Sequence, residues 1–260
     1  GLVVQQMATE PDARFVLHTG DLVSDGEVAE QWQEFFQIEQ PLIGSVPLYA
    51  VLGNHEVAGG LADYFFDYLV LPDQSPAPEA YYSFDYGNVH LIGLDSHINA
   101  DDYFTCLGRD IAYDFCFNDG QLGWLLADLD ASSQNQAIDH TVVMIHVGPY
   151  SSKLGRQGNP QMRELLDLFA EKGVTLMISG HDHYYERGES DHGIPYLILG
   201  GGGAPLYEIA EPNADPHTVI YNAPLHHYAV LDVDGMEMKV TVKDPTGQIL
   251  DTVTVQGFVP

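Results

Sequence analysis

The sequence predicts an α/β fold, and three observations predict it. Short runs rich in Val, Ile and Leu alternate with amphipathic segments, the pattern of strands buried on both faces with helices packed over them. Each of four such runs ends in a short polar motif, which places polar side chains just beyond a strand end. Asx and Gly pairs mark hairpins in the middle and at the C-terminal end.

Taken in order, residues 1–10 read as a helix and 15–19 as a strand, followed by GDLVSDG. Residues 28–40 form an amphipathic helix, and the run 48–52 is a strand ending in GNHE. Segments 81–86 and 89–94 flank Gly87-Asn88 as an antiparallel hairpin, the second strand extending over 89–95. A helix over 121–129, with Asp119 able to cap it, precedes a strand over 141–146. The next helix spans 160–172, with Asn159 as N-cap and Gly173 as its stop. Strands follow over 176–179 and 196–199. Segments 228–233, 236–242 and 249–255, separated by Asp234-Gly235 and the turn Asp244-Pro245-Thr246-Gly247, form an antiparallel meander. No repeat or low-complexity linker divides the chain, so residues 1–260 are expected to form one domain, and 45% hydrophobic content suffices for one large core.

Charge and hydropathy exclude several functions. No run of 18 apolar residues occurs, which argues against a membrane-spanning helix. Thirty-eight acidic residues against nine basic ones give a net charge of -29, with no basic stretch to follow a phosphate backbone, so general nucleic-acid binding is not expected. So much acid suits a strongly hydrated surface. It repels anionic substrates unless bound cations reverse the local field. Cys106 and Cys116 lie ten apart in a polar segment, a spacing that suits a local disulfide and hence an exported, extracellular or periplasmic protein. Oligomeric state is not legible.

The motifs GDLVSDG, GNHE, HVGPY and GHDHYYER carry the chemistry. In an α/β sheet ligands bind beyond the carboxyl ends of strands, so four motifs at four such ends converge on one crevice. Taken singly, a His or Asn at a strand end is more often a turn residue than a ligand. Together they suit a pair of metal ions: Asp21 as a bridging carboxylate, Asn54 as a neutral oxygen ligand, and His146, His181 and His183 as imidazole ligands. Gly20 lets the backbone turn close to the metals. Asp182, between two ligand candidates, should point away as a supporting or surface group, and Asp25 and Glu56 are placed to support the ligands. His18, His90, His97, His140, His192, His217, His226 and His227 have no such ensemble. The same donors accept zinc, manganese, iron or cobalt.

In this order, GD, GNHE, the lone His and GHDH resemble the calcineurin-like metallophosphoesterases, particularly the branch similar to purple acid phosphatases. The stretches YYSFDYGNVHLIGLDS, QLGWLLADLDAS and HVGPYSS, with the glycine run 200–203, extend the resemblance over most of the chain. The resemblance implies a sandwich of two β-sheets flanked by helices. It also implies hydrolysis of a small phosphate mono- or diester by in-line attack of a metal-bridging hydroxide. By carry-over Asn54, His146 and His181 hold one ion, His183 the other, and Asp21 joins them. His55 assists the leaving group, and Asn54 and His55 are positioned to touch substrate; Tyr150 and Arg187, next to the ligand motifs, are candidates either to touch substrate or to serve as packing or salt-bridge residues.

Two departures qualify the resemblance. The family's earlier Asp-x-His motif is missing, and the helix over 1–10 reads as the one that follows its strand. The first strand and its ligands are then expected upstream of Gly1, or one metal has been lost, leaving the second site weak or empty. Ser24 stands where the purple enzymes carry a tyrosine, so an obligatory ferric ion is not expected. The competing expectation is a catalytically silent domain that binds phosphorylated ligands or a protein partner. A nucleophile-based hydrolase lacks its G-x-S-x-G elbow and a zincin peptidase its H-E-x-x-H.

Overall fold

Alternate residues of the central strands point into two different cores. Leu91, Val142, Met144, Leu176, Ile178 and Leu197 enter one, and Ile92, Val143, Ile145, Met177 and Ile198 enter the other. The side-chain period of two gives each strand two apolar faces, and both are covered.

A computed structural model describes residues 1–58, 60, 62–96, 119–207, 215–222 and 225–259. Along the described residues the elements run α1 (Leu2–Met7), β1 (Val16–His18), α2 (Ala29–Ile43), β2 (Leu48–Ala50), α3 (Asn54–Val57), α4 (Asp63–Tyr68), β3 (Tyr82–Tyr86), β4 (Val89–Leu94) and α5 (Asp119–Ser133). They continue β5 (His140–Ile145), α6 (Pro160–Glu164), α7 (Leu166–Glu171), β6 (Val174–Ser179), β7 (Tyr185–Glu189), β8 (Pro195–Leu199), β9 (Thr218–Asn222), β10 (Tyr228–Asp234), β11 (Glu237–Lys243) and β12 (Ile249–Gln256).

A seven-stranded sheet in the order β3-β4-β5-β6-β8-β7-β9 forms the centre, with β4, β5, β6 and β8 mutually parallel. Helices α5, α6 and α7 cover one face through Leu125, Leu129, Met162, Leu166 and Phe169. The opposite face meets a second layer made of the parallel pair β1-β2 and the meander β10-β11-β12, which contributes Met238, Val240, Val242 and Val255. The two-sheet sandwich flanked by helices is therefore present. Trp32, Phe35, Phe65 and Tyr82 seal a third cluster between α2, α4 and the sheet edge.

The Gly87-Asn88 hairpin and the C-terminal meander form as expected, with Tyr86 opposite Val89 and Asp234 opposite Glu237. Asn159 caps α6 by accepting the N–H groups of Gln161 and Met162. The helix expected over 160–172 is broken at Leu165, where a tighter bond from the Leu165 N–H to the Met162 carbonyl ends α6. Helix α2 runs through Pro41 to Ile43, past the expected end. Strands β7 and β9 had no apolar run to mark them. Among the described residues no helix is long and apolar enough to cross a membrane. Cys106, Cys116 and His97 lie outside the described residues.

Candidate metal centre

Four strand ends meet where the two layers touch. Asp21 follows β1, Asn54 opens α3 just after β2, His146 follows β5 and His181 follows β6. The parallel partners β1-β2 and β5-β6 bring each pair of loops side by side, and the His146 Nδ1–H donates to the Thr19 carbonyl at 2.6 Å to join the two layers.

Close backbone approach is what the glycines permit. A Cβ on Gly20, whose φ is +88°, would sit 2.7 Å from His146 Nδ1 and 2.8 Å from the Gly53 nitrogen. A Cβ on Gly53 would lie 2.2 Å from both the Asp21 nitrogen and Asp21 Oδ1. Asp21 and His181 themselves hold φ values of 56° and 65°, a left-handed backbone that non-glycine residues seldom adopt. Such strain collects where function over-determines the geometry.

The donor atoms converge. His146 Nε2 lies 3.2 Å from Asp21 Oδ2, from Asn54 Oδ1 and from His181 Nδ1. His181 Nδ1 lies 2.9 Å from Asn54 Oδ1. A tetrahedral cation with bonds of about 2.0–2.1 Å needs donors about 3.3 Å apart, and these four separations lie near that value; donor atoms of Asp21, His146 and His181 all lie within 4.8 Å of one another. The donor set therefore fits one transition-metal ion. His146 is fully buried, and because its Nδ1–H is committed to Thr19, its Nε2 presents the lone pair inward. Burial works against the Asp21 carboxylate, but the His146 ring and the His55 backbone N–H outweigh it and hold the group well below the ordinary carboxylate range. Burial likewise opposes charge on His146, and Asp21 outweighs it, so the ring titrates above ordinary histidine.

His183 stands one turn further on, in the bend between β6 and β7. Its Nδ1 donates to the Pro205 carbonyl at 2.8 Å and its ring stacks on Tyr207 at 4.4 Å, while burial lowers its pKa. That leaves Nε2 as its acceptor nitrogen. His55 is 43% exposed, with Nε2 4.0 Å from Asp21 Oδ2. Its Nδ1 donates to the Ser24 carbonyl at 2.8 Å, and its backbone N–H donates to Asp21 Oδ1 at 3.0 Å.

The supporting groups are only partly those expected. Glu56 is fully buried and accepts the N–H groups of Asp21, Leu22, Val23 and Gly53. Burial and the Asp21 charge push its carboxyl up, against the pull of those donors. Asp25 only caps its own turn, accepting the Glu27 N–H. Asp182 points away from the donors as expected, but it is buried rather than a surface group: it accepts from Ser151, Tyr184 and Arg156. Gly200 passes close to its backbone, since a Cβ there would strike the Asp182 carbonyl.

Tyr150 and Arg187, candidates for substrate contact or for packing and pairing, are engaged in the latter. The Tyr150 ring is buried between His217, at 4.1 Å, and Tyr196, at 5.0 Å. The Arg187 guanidinium donates from Nε to Asp251 on β12 at 2.6 Å, beside the Tyr185 hydroxyl on the same carboxylate. Both geometries describe packing and pairing rather than a free face toward the centre. The loop 151–159, on which the sequence leaves substrate choice to depend, brings Lys153 and Arg156 to the ring of Tyr207, which stacks on His183 and was not singled out from the sequence.

Residues 2–185 match the model of the family described as calcineurin-like phosphoesterase. The chain is similar to Purple acid phosphatase 18 of Arabidopsis thaliana, 28% identical over 212 residues, covering 76% of this chain and 45% of the relative. It is 26% identical over 187 residues to Acid phosphatase type 7 of Homo sapiens, covering 66% of this chain and 40% of the relative. The chain thus spans less than half the length of either. In fold it is similar to a purple acid phosphatase from yellow lupin (Lupinus luteus) seeds, with a TM-score of 0.75 at 21% identity over 98% of this chain and 48% of that one. Its matched residues and its fold place this chain in the calcineurin-like phosphoesterase family.

Proposed function

We propose that this domain hydrolyses phosphate esters with the help of two metal ions, and that Asp21, Asn54, His146, His181, His183 and His55 do the work. The observation that carries it is the convergence of donor atoms from four separate loops, with His146 Nε2 3.2 Å from a donor atom of each of Asp21, Asn54 and His181. On this reading Asp21, Asn54, His146 and His181 hold one cation, and Asp21 with His183 contributes to a second, weaker site. Zinc, manganese, iron and cobalt all suit these donors. Bound cations lower the pKa of water and neutralise charge on the transferring phosphoryl group, each effect amounting to several kcal/mol.

The chain's own residues supply the rest. The Asn54 side chain, fixed beside His146 and His181, is a neutral donor that leaves the site electron-poor toward an anionic ester. With its Nδ1–H bound to Ser24, His55 directs Nε2 into the exposed side of the site, where it can hold a proton for the leaving oxygen. General acid help of this kind contributes roughly 100- to 10,000-fold. Placement outside the cytoplasm rests on the Cys106 and Cys116 pair.

The test is hydrolysis of p-nitrophenyl phosphate and bis(p-nitrophenyl) phosphate by the metal-loaded protein. His55→Ala should lower kcat by at least about 100-fold with metal retained, while Asp21→Asn should lose both metal and activity. Undiminished turnover in both variants overturns the proposal.

A further inference from the structure

Lys153 occupies an unusual place in so acidic a chain. It is half-buried, and among the described residues it meets no carboxylate, although the sequence offers 38. Its Nζ instead sits 3.4 Å from the centre of the Tyr207 ring. The His183 ring stacks on that same ring at 4.4 Å and 16°. Two groups so close to one ring cannot share a face, so the cation and the histidine cover opposite faces. Arg156 Cζ stands 5.8 Å from the ring while its guanidinium binds Asp182, between His181 and His183. The start of this loop is tied to the same carboxylate, since the Lys153 N–H donates to Ser151 Oγ, which donates to Asp182 Oδ2. Positive charge is thus anchored one aromatic ring away from His183. A cation over a ring face keeps part of its attraction for an anion, and partial burial strengthens that attraction.

We propose that Lys153 is a specificity-determining residue: it holds a second anionic group of the substrate while the reacting phosphoryl group sits at the histidines, favouring esters and anhydrides with more than one phosphoryl group. The proposal rests on the phosphoesterase reading for the place of the reacting group. Its test is calorimetric binding of imidodiphosphate and of orthophosphate to the manganese-loaded protein and to the Lys153→Met and Lys153→Arg variants. Methionine keeps the apolar stem on Tyr207 and removes the charge. Lys153→Met should weaken imidodiphosphate binding roughly ten-fold, leave orthophosphate within about two-fold, and be rescued by Lys153→Arg. Equal losses for both anions mean that Lys153 holds the reacting phosphoryl group, and no loss, or no binding of imidodiphosphate by the wild type, means that it holds neither; each result overturns the proposal. Should imidodiphosphate bind through Lys153 while no phosphate ester is hydrolysed, the catalytic reading falls and Lys153 keeps only its part as the contact for a second anionic group of a bound ligand.

Discussion

The Glu56 carboxylate accepts the backbone N–H of Asp21 at 2.8 Å, and the same oxygen accepts the backbone N–H of Gly53 at 2.8 Å. One buried side chain therefore clamps the loop after β1 to the loop after β2. Its other oxygen takes Leu22 and Val23, so Asp21 is held by its main chain before any cation is bound. The clamp holds the backbone N–H of Asp21, a residue with a left-handed φ of 56°.

Removing the clamp should be costly. Glu56→Ala strips an acceptor from buried backbone donors, and each orphaned donor costs about 1–3 kcal/mol. Unfolding free energy from urea denaturation should fall by roughly 3 kcal/mol or more, and transition-metal affinity should fall with it. Glu56→Gln, which retains one oxygen acceptor, should lose less. A variant as stable as the wild type would contradict the role assigned to Glu56.

Arg187 supplies a second prediction. Its ion pair with Asp251 joins β7 to β12 across the sandwich. Arg187→Met should lower unfolding free energy by about 1–3 kcal/mol, because Asp251 loses a charged partner, and should leave kcat/KM for a chromogenic phosphomonoester within about two-fold of the wild type. A loss of turnover without loss of stability would return Arg187 to the substrate.

A third prediction concerns pH. His90 is buried on β4, with Nδ1 2.6 Å from Asp85 and Nε2 2.9 Å from Asp128. Burial opposes its charge, but the hydrogen bonds to Asp128 and Asp85 outweigh burial and raise its pKa. A raised folded value means that the protonated ring stabilises the fold fully below about 6.5, the unfolded histidine value. That contribution is lost as pH climbs through the folded value. In urea titrations the stability margin of the wild type over His90→Gln should therefore shrink between pH 6 and pH 9. A margin that stays constant over that range would show that His90 pairs as a neutral ring.

Much of this was legible because strand ends announce themselves. Apolar runs located β1, β2, β5 and β6, and the polar residue after each, from Asp21 to His181, had nowhere to go but one crevice. The fate of Arg187 was not legible. Nearness in sequence to His183 left substrate contact and a salt bridge equally open, and only the fold decides: β7 begins at Tyr185, and the strand face that carries Tyr185 and Arg187 turns toward Asp251 on β12. Periodicity states which residues share a face, not which sheet lies opposite. The strand order β6-β8-β7 was hidden for the same reason. Tyr207 could not be joined to Lys153 because only the folded loop beyond the glycine run brings the two together.

The central claim is that Asp21, Asn54, His146 and His181 share one cation. A crystal grown with manganese and measured at an anomalous wavelength tests it most directly. A peak should lie about 2.0–2.3 Å from Asp21 Oδ2, Asn54 Oδ1, His146 Nε2 and His181 Nδ1 together. A peak that touches fewer than three of these atoms, or none in this crevice at saturating metal, would contradict it.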